Sequence, residues 1–185
     1  MAARKELVGV MPLTYNPPRQ MPILDERSLE FLSHSPEQTQ RVGVRLGELV
    51  KPGDVVCLAG DLGSGKTTLA QGIARGWGAL DPVTSPTFVL ISEYRRADSA
   101  TLYHFDAFRL NGPSEAVELG LEDILAGDGP LIIEWPERVL ELLPGERMWV
   151  SLRWIDDSRR GLRVEVCGHR YERLLRQFRR ATFGG

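Results

Sequence analysis

The sequence predicts an α/β fold of three layers, with a mainly parallel central sheet and antiparallel hairpins at its edges. Three observations carry this. Short apolar runs, such as Asp54–Gly60 and Pro130–Trp135, interleave with helical patterns, which places a parallel sheet between helices. A glycine-rich segment, Gly60–Thr67, joins the first of these runs to a helix. Two later stretches carry strand-like runs on either side of turn residues, as hairpins do.

The 185 residues suffice for one domain with a tail. Residues 1–27, with Pro12, Pro17, Pro18 and Pro22, read as a flexible extension, and 28–185 as the domain. Arg27–Ser35 alternates as a first strand. Ser35 then caps a helix, Pro36 is its first residue, and Gln38 completes a capping box. That helix runs to about Val50, with Val42, Leu46 and Leu49 on one face, and stops at Lys51-Pro52-Gly53. Asp54–Gly60 is short and valine-rich, a strand buried on both faces. A helix follows the glycine-rich loop from Lys66 to about Trp77.

Val83–Phe88 reads as a loop entering a strand over Phe88–Tyr94. Thr101–Leu110 holds the next strand, with His104 and Asp106 at its polar end, and Arg95–Ala100 turns between the two. Ser114–Gly127 reads as one helix capped at Ser114 and Gly127. Pro130–Trp135 is a second fully buried strand. Glu146–Ile155 and Gly161–Gly168 make the second hairpin, turned at Asp156–Gly161. Tyr171–Ala181 closes the chain as a basic amphipathic helix.

The bulk numbers narrow the classes. Hydrophobic content of 42% and charged content of 26% are ordinary for a soluble globular protein. A formal net charge of −2 argues against broad electrostatic binding to a polyanion. No apolar run reaches the roughly 18 residues that a membrane span requires, so no membrane partner is expected. The basic start of the chain lacks the long apolar segment of a secretory signal. Cys57 and Cys167 are far apart, fitting neither a disulfide framework nor a zinc site, and Cys57 reads as core. A reducing cytoplasm is the simplest compartment.

Gly60–Thr67 fits G-x-x-x-x-G-K-[ST], the phosphate loop of NTPases. Gly60, Gly63 and Gly65 allow backbone conformations closed to other residues, so that successive N–H groups converge on an anion. The helix behind adds its positive end. Lys66 supplies charge to the β- and γ-phosphates, and the Thr67 hydroxyl binds magnesium. The fold expectation becomes a phosphate-loop NTPase-like sandwich.

Such a site also needs an acid at a neighbouring strand end. Glu134 is the first candidate, emerging from the buried run Leu131–Ile133 where ligands sit in open α/β sheets. The usual acid is Asp; Glu offers the same oxygen ligand. Asp106 is the second candidate, as a water-positioning or magnesium-linked acid. Ser85 and Thr87 read equally as a loop sensing the γ-phosphate and as a Ser-Pro turn. His104 reads as a packed structural residue before it reads as a base. Trp135 reads equally as core and as a shield of the site. Arg159-Arg160 and Arg179-Arg180 read first as solvated charge, with RNA or an acidic partner as the alternative. No Asn-Lys-x-Asp motif is present, which favours ATP over GTP. A small-molecule kinase and a nucleotide-sensing interaction module remain as alternative readings. No compact arginine-rich lid segment supports the kinase.

Four motifs stand in order: Gly60–Gly78, Val83–Tyr94, Leu102–Leu110 ("LYHFDAFRL") and Leu131–Val139 ("LIIEWPERV"). Together they resemble the TsaE (YjeE) family over roughly Ser33–Gly168. The resemblance implies a small α/β domain that binds ATP and Mg2+ and hydrolyses ATP slowly. It implies the partners TsaB and TsaD, with which the family serves threonylcarbamoyladenosine modification of tRNA beside the anticodon. The family is implied not to perform the transfer itself, and tRNA is met through the complex. Carried onto this chain, Gly63, Ser64, Gly65, Lys66, Thr67 and Thr68 hold phosphate, and Thr67 with Glu134 holds magnesium. Lys66, Asp106 and Glu134 are implied as the catalytic set, and Ser85 and Thr87 as a switch-like loop. Glu37, Glu137 and Gly161 are implied to lie near the nucleotide. The family reads "HFDLYRL" where this chain has Phe108 in place of the tyrosine, which puts any role of that hydroxyl in doubt.

Overall fold

The computed structural model describes residues 26–80 and 90–184. The expectations for residues 1–25 and for Ser85 and Thr87 lie outside them. The elements run β1 (Ser28–Ser33), α1 (Pro36–Gly47), β2 (Val55–Ala59), α2 (Lys66–Trp77), β3 (Ile91–Arg95) and β4 (Thr101–Asp106). Then come α3 (Pro113–Glu118), α4 (Leu121–Ala126), β5 (Leu131–Glu134), a 3-10 segment Pro136–Leu142, β6 (Arg147–Trp154), β7 (Arg160–Cys167) and α5 (His169–Phe183).

The strands form one sheet in the order β1-β7-β6-β2-β5-β4-β3. The centre β6-β2-β5-β4 is parallel, and β3, β7 and β1 are added antiparallel. The second hairpin was expected at an edge. Instead β6 pairs in parallel with β2, and β1 takes the edge beyond β7.

Alternation along the central strands builds two cores. Val56, Leu58 and Ile132 face α1, α2 and α5, whereas Val55, Cys57, Leu131 and Ile133 face α3, α4 and the 3-10 segment. Burial pushes the Cys57 thiol up to about 12, so it is an inert core residue.

The start of α1 follows the expected cap, with Ser35 Oγ accepting from the Gln38 N–H at 3.2 Å. Gln38 reaches one residue further back than a capping box requires, accepting from His34 N–H at 2.8 Å. The helix ends at Gly47, short of Val50. Ser114–Gly127 is two helices, not one. Gly120 takes φ +83° between them, and Gly112, not Ser114, precedes the first. The break buries both Ala116 and Leu121 while Val117 and Leu119 stay exposed.

The start of β2 is tied to α5. The Val55 N–H donates to the Tyr171 hydroxyl at 2.7 Å, and Arg170 Nη2 donates to Asp54 Oδ2 at 2.5 Å. Burial raises the Tyr171 phenol to about 12, keeping it neutral there. The arginine pairs are engaged too: Arg159 pairs with Asp156 at 2.6 Å, and Arg179 Nη2 donates to the Ser28 carbonyl at 3.0 Å.

Helices α1 and α2 meet backbone to backbone along Gly43, Gly47, Gly72 and Gly76. A methyl on Gly76 would stand 1.9 Å from the Val44 carbonyl oxygen, and one on Gly47 2.0 Å from that of Ile73. Neither contact is relieved by a side-chain rotation, because both partners are main chain. Gly76→Ala is therefore expected to cost roughly 1–3 kcal/mol or more in urea denaturation. Gly112→Ala, where a methyl meets nothing within 4 Å, should stay within about 0.5 kcal/mol.

Candidate functional site

The loop between β2 and α2 opens at the carboxyl end of the sheet. Gly63 (φ +76°) and Gly65 (φ +101°) turn the backbone through conformations that side chains oppose. The N–H groups of Lys66, Thr67 and Thr68 then head α2, where an α-helix has no internal acceptor for them. The Ser64 hydroxyl is buried without a hydrogen-bond partner. The loop is a donor-rich cradle.

Lys66 is buried with its charge directed at main-chain oxygen. Nζ donates to the carbonyls of Gly60 at 2.7 Å and Asp61 at 2.9 Å, and lies 4.0 Å from the centre of the Trp135 ring. Burial lowers its pKa, opposed by the charges of Glu134, Asp106, Glu137 and Asp61. Trp135 holds this place at φ +58°, and Phe108 packs on it with ring centres 4.9 Å apart. The Phe108 contact is made by the ring alone and uses no hydroxyl.

The two predicted acids converge. Asp106 is level with Glu134 in the β4–β5 register, and Glu134 with Leu58 in β2–β5, so both acids stand beside the loop. Thr67 Oγ1 donates to Glu134 Oε2 at 3.2 Å. His104, fully buried, places Nε2 3.0 Å from Glu134 Oε1. Its position two residues before Asp106 on a strand puts it on the same face, a signal present in the spacing. Burial raises the Asp106 pKa, as does the charge of Glu134, against a 2.9 Å donation from the Phe108 N–H.

A cleft of about 30 Å³ lies on the other side of the loop, lined by Pro36, Thr39, Gly65, Thr68, Ser158 and Arg160. Glu37 is exposed in the first turn of α1 beside two of these residues. Gly161 does not line the cleft and sits under Arg153, with which it pairs. Its neighbour Arg160 reaches the loop, donating to the Gly63 carbonyl at 3.4 Å, a contact that sequence reasoning missed. Glu137, exposed on the 3-10 segment, adds negative potential at Lys66. A larger hollow of about 350 Å³ at Leu140, Arg147, Trp149, Glu165 and Cys167 lies at the opposite end of the sheet from the loop.

The residues present suit a magnesium nucleotide. The glycine cradle and buried Lys66 suit phosphate, and Thr67 and Glu134 offer hard oxygen donors. No cluster of three or more His, Cys, Asp or Glu able to hold a metal occurs among the described residues.

The family model for "Threonylcarbamoyl adenosine biosynthesis protein TsaE" matches residues 33–162. The chain belongs to the TsaE family. The TsaE protein of Bacillus subtilis is 37% identical over 154 residues, covering 83% of this chain and 96% of its own. That of Treponema pallidum is 38% identical over 136 residues, covering 74% and 99%. The crystal structure of Bacillus subtilis YdiB superposes with a TM-score of 0.69 at 34% identity, covering 83% of this chain and 95% of its own. The TsaE-family fold is thus shared along most of the length.

The raised Asp106 pKa has a definite sign. A carboxyl whose folded pKa lies above its unfolded value adds stability at low pH and loses it as pH rises through the folded pKa. Asp106→Asn removes that loss. Its melting temperature at pH 7 should exceed that of the parent by on the order of 1 °C or more. The gap should close as pH is lowered through the carboxylate range, as read by calorimetry.

Proposed function

We propose that this TsaE-family chain is a magnesium-dependent ATP-binding and ATP-hydrolysing subunit required for threonylcarbamoyladenosine modification of tRNA. On this reading it works in the cytoplasm with TsaB and TsaD, and meets tRNA through that complex. The observation that carries it is the convergence of Lys66, Thr67, Glu134 and Asp106 beside one glycine-rich loop at the head of a helix. No helix among the described residues is long and apolar enough to cross a membrane.

Lys66 has the central task. Its charge is desolvated and rests on two carbonyls, so an anion in the cradle offers it a stronger partner. The N–H groups at the head of α2 stabilise charge on the leaving side without reorganising. Thr67 and Glu134 would hold magnesium, which when bound neutralises charge on the β- and γ-phosphates. Asp106 is fixed by the Phe108 N–H and turned to the same side as Glu134, where it orients water. Trp135 and Phe108 shield the Lys66 side of the cradle from solvent. Ser85 and Thr87 are the switch-like segment on this reading, relaying loss of the γ-phosphate to the partner surface.

Lys66→Ala should weaken ATP binding at least ~10-fold, about 1.4 kcal/mol, in titration calorimetry. It should also abolish support of tRNA modification in a reconstituted assay. ATP turnover should rise when TsaB and TsaD are added. Normal modification by Lys66→Ala, or a phosphorylated metabolite as product, would replace this reading with another.

A further inference from the structure

One buried polar side chain beside the loop has no part in the mechanism above. His104 is wholly enclosed, yet its only hydrogen bond among the described residues runs from Nε2 to Glu134 Oε1 at 3.0 Å. Nδ1 is buried with no partner. The ring packs near Tyr94, with centres 6.2 Å apart. A histidine needed only for bulk would be replaceable by an apolar residue, which would leave no orphaned nitrogen in the core.

Glu134 explains the expense. A phosphate-loop site ordinarily uses Asp at this strand end. Glu has one more rotatable bond, and ordering such a side chain costs rotamer freedom. Thr67 Oγ1 meets only Oε2, and at 3.2 Å. A second fixed donor on Oε1 removes the remaining rotation. In the β4–β5 register His104 lies level with Ile132, one pleat behind Glu134 and on the same face of the sheet. From there it meets the carboxylate from below while Thr67 meets it from the loop side.

We propose that His104 is a positioning residue: its Nε2–H donates to Glu134 Oε1 and fixes Oε2 toward Thr67 and the metal position. A carboxylate only accepts, so Nε2 must carry a proton. The charged groups around this pair are Glu134 itself, Asp106 and Lys66, all on the loop side. His104 acts through Glu134 and touches no reacting atom. The inference rests on the magnesium-nucleotide reading of the site and assigns it an outer support, of the kind whose loss typically weakens metal sites by 10–100-fold.

Three variants of the full chain test it. Gln places an amide nitrogen near the position of Nε2, Asn places one near Nδ1, and Leu places none. Mn2+ affinity in the presence of ADP is measured by electron paramagnetic resonance, and metal-free ADP affinity by calorimetry. His104→Leu and His104→Asn should each weaken Mn2+ at least ~10-fold with metal-free ADP affinity unchanged, and His104→Gln should stay within about 3-fold of the parent. In the parent chain, 15N spectra of the imidazole should show a protonated Nε2. Equal Mn2+ affinity in all three variants, equal loss in all three, or a spectrum with Nε2 bare overturns the proposal. Should Leu fail to fold, the Gln–Asn difference and the parent spectrum still decide. A parent chain in which ADP binds but Mn2+ does not would instead refute the magnesium reading of Thr67 and Glu134.

Discussion

Three parallel strands ending level with one another set the rest of this molecule. In the register of β2, β5 and β4, Leu58, Glu134 and Asp106 are neighbours in a row. Parallel pairing requires crossovers, and the crossover after β2 begins with the phosphate loop and α2. The same pairing that buries Val55–Leu58 and Leu131–Ile133 therefore delivers two carboxylates and a cationic loop to one edge. A register slip of one residue would turn Glu134 into the opposite core, against Leu121 and Val139.

The charges gathered there are poorly compensated by the protein alone. Lys66 is desolvated, Asp106 is held above the usual carboxylate range, and the Ser64 hydroxyl lacks a partner. Each is a cost to the folded chain, and Asp106→Asn removes one of them.

Most of this architecture is legible in the sequence because the signals are local. The valine-rich run before the loop, the glycine spacing and the Ser35 cap each dictate their own neighbourhood. The failures are where the deciding contact is distant. β6 reads as part of an edge hairpin, since nothing in its own residues announces its pairing with β2. Ser114–Gly127 reads as one helix because its apolar spacing suits one, and the turn at Gly120 comes with the burial of both Ala116 and Leu121 in the same core. In the site, Lys66, Thr67 and Glu134 were legible from motif and position. The reach of Arg160 to Gly63 was not, because an arginine pair in a turn carries no sign of where its guanidinium goes.

The glycine seam between α1 and α2 has a consequence for tolerance. One wall of the small cleft beside the loop, Pro36 and Thr39, rides on α1, and another, Gly65 and Thr68, belongs to the loop and α2. The gap between the walls is gauged by main-chain atoms meeting main-chain atoms, with no side chain as a shim. Outward-facing residues such as Arg41, Arg45 and Arg75 can drift in identity without changing that gauge. The four glycines act as the fixed jaw setting of a calliper for the cleft beside the loop.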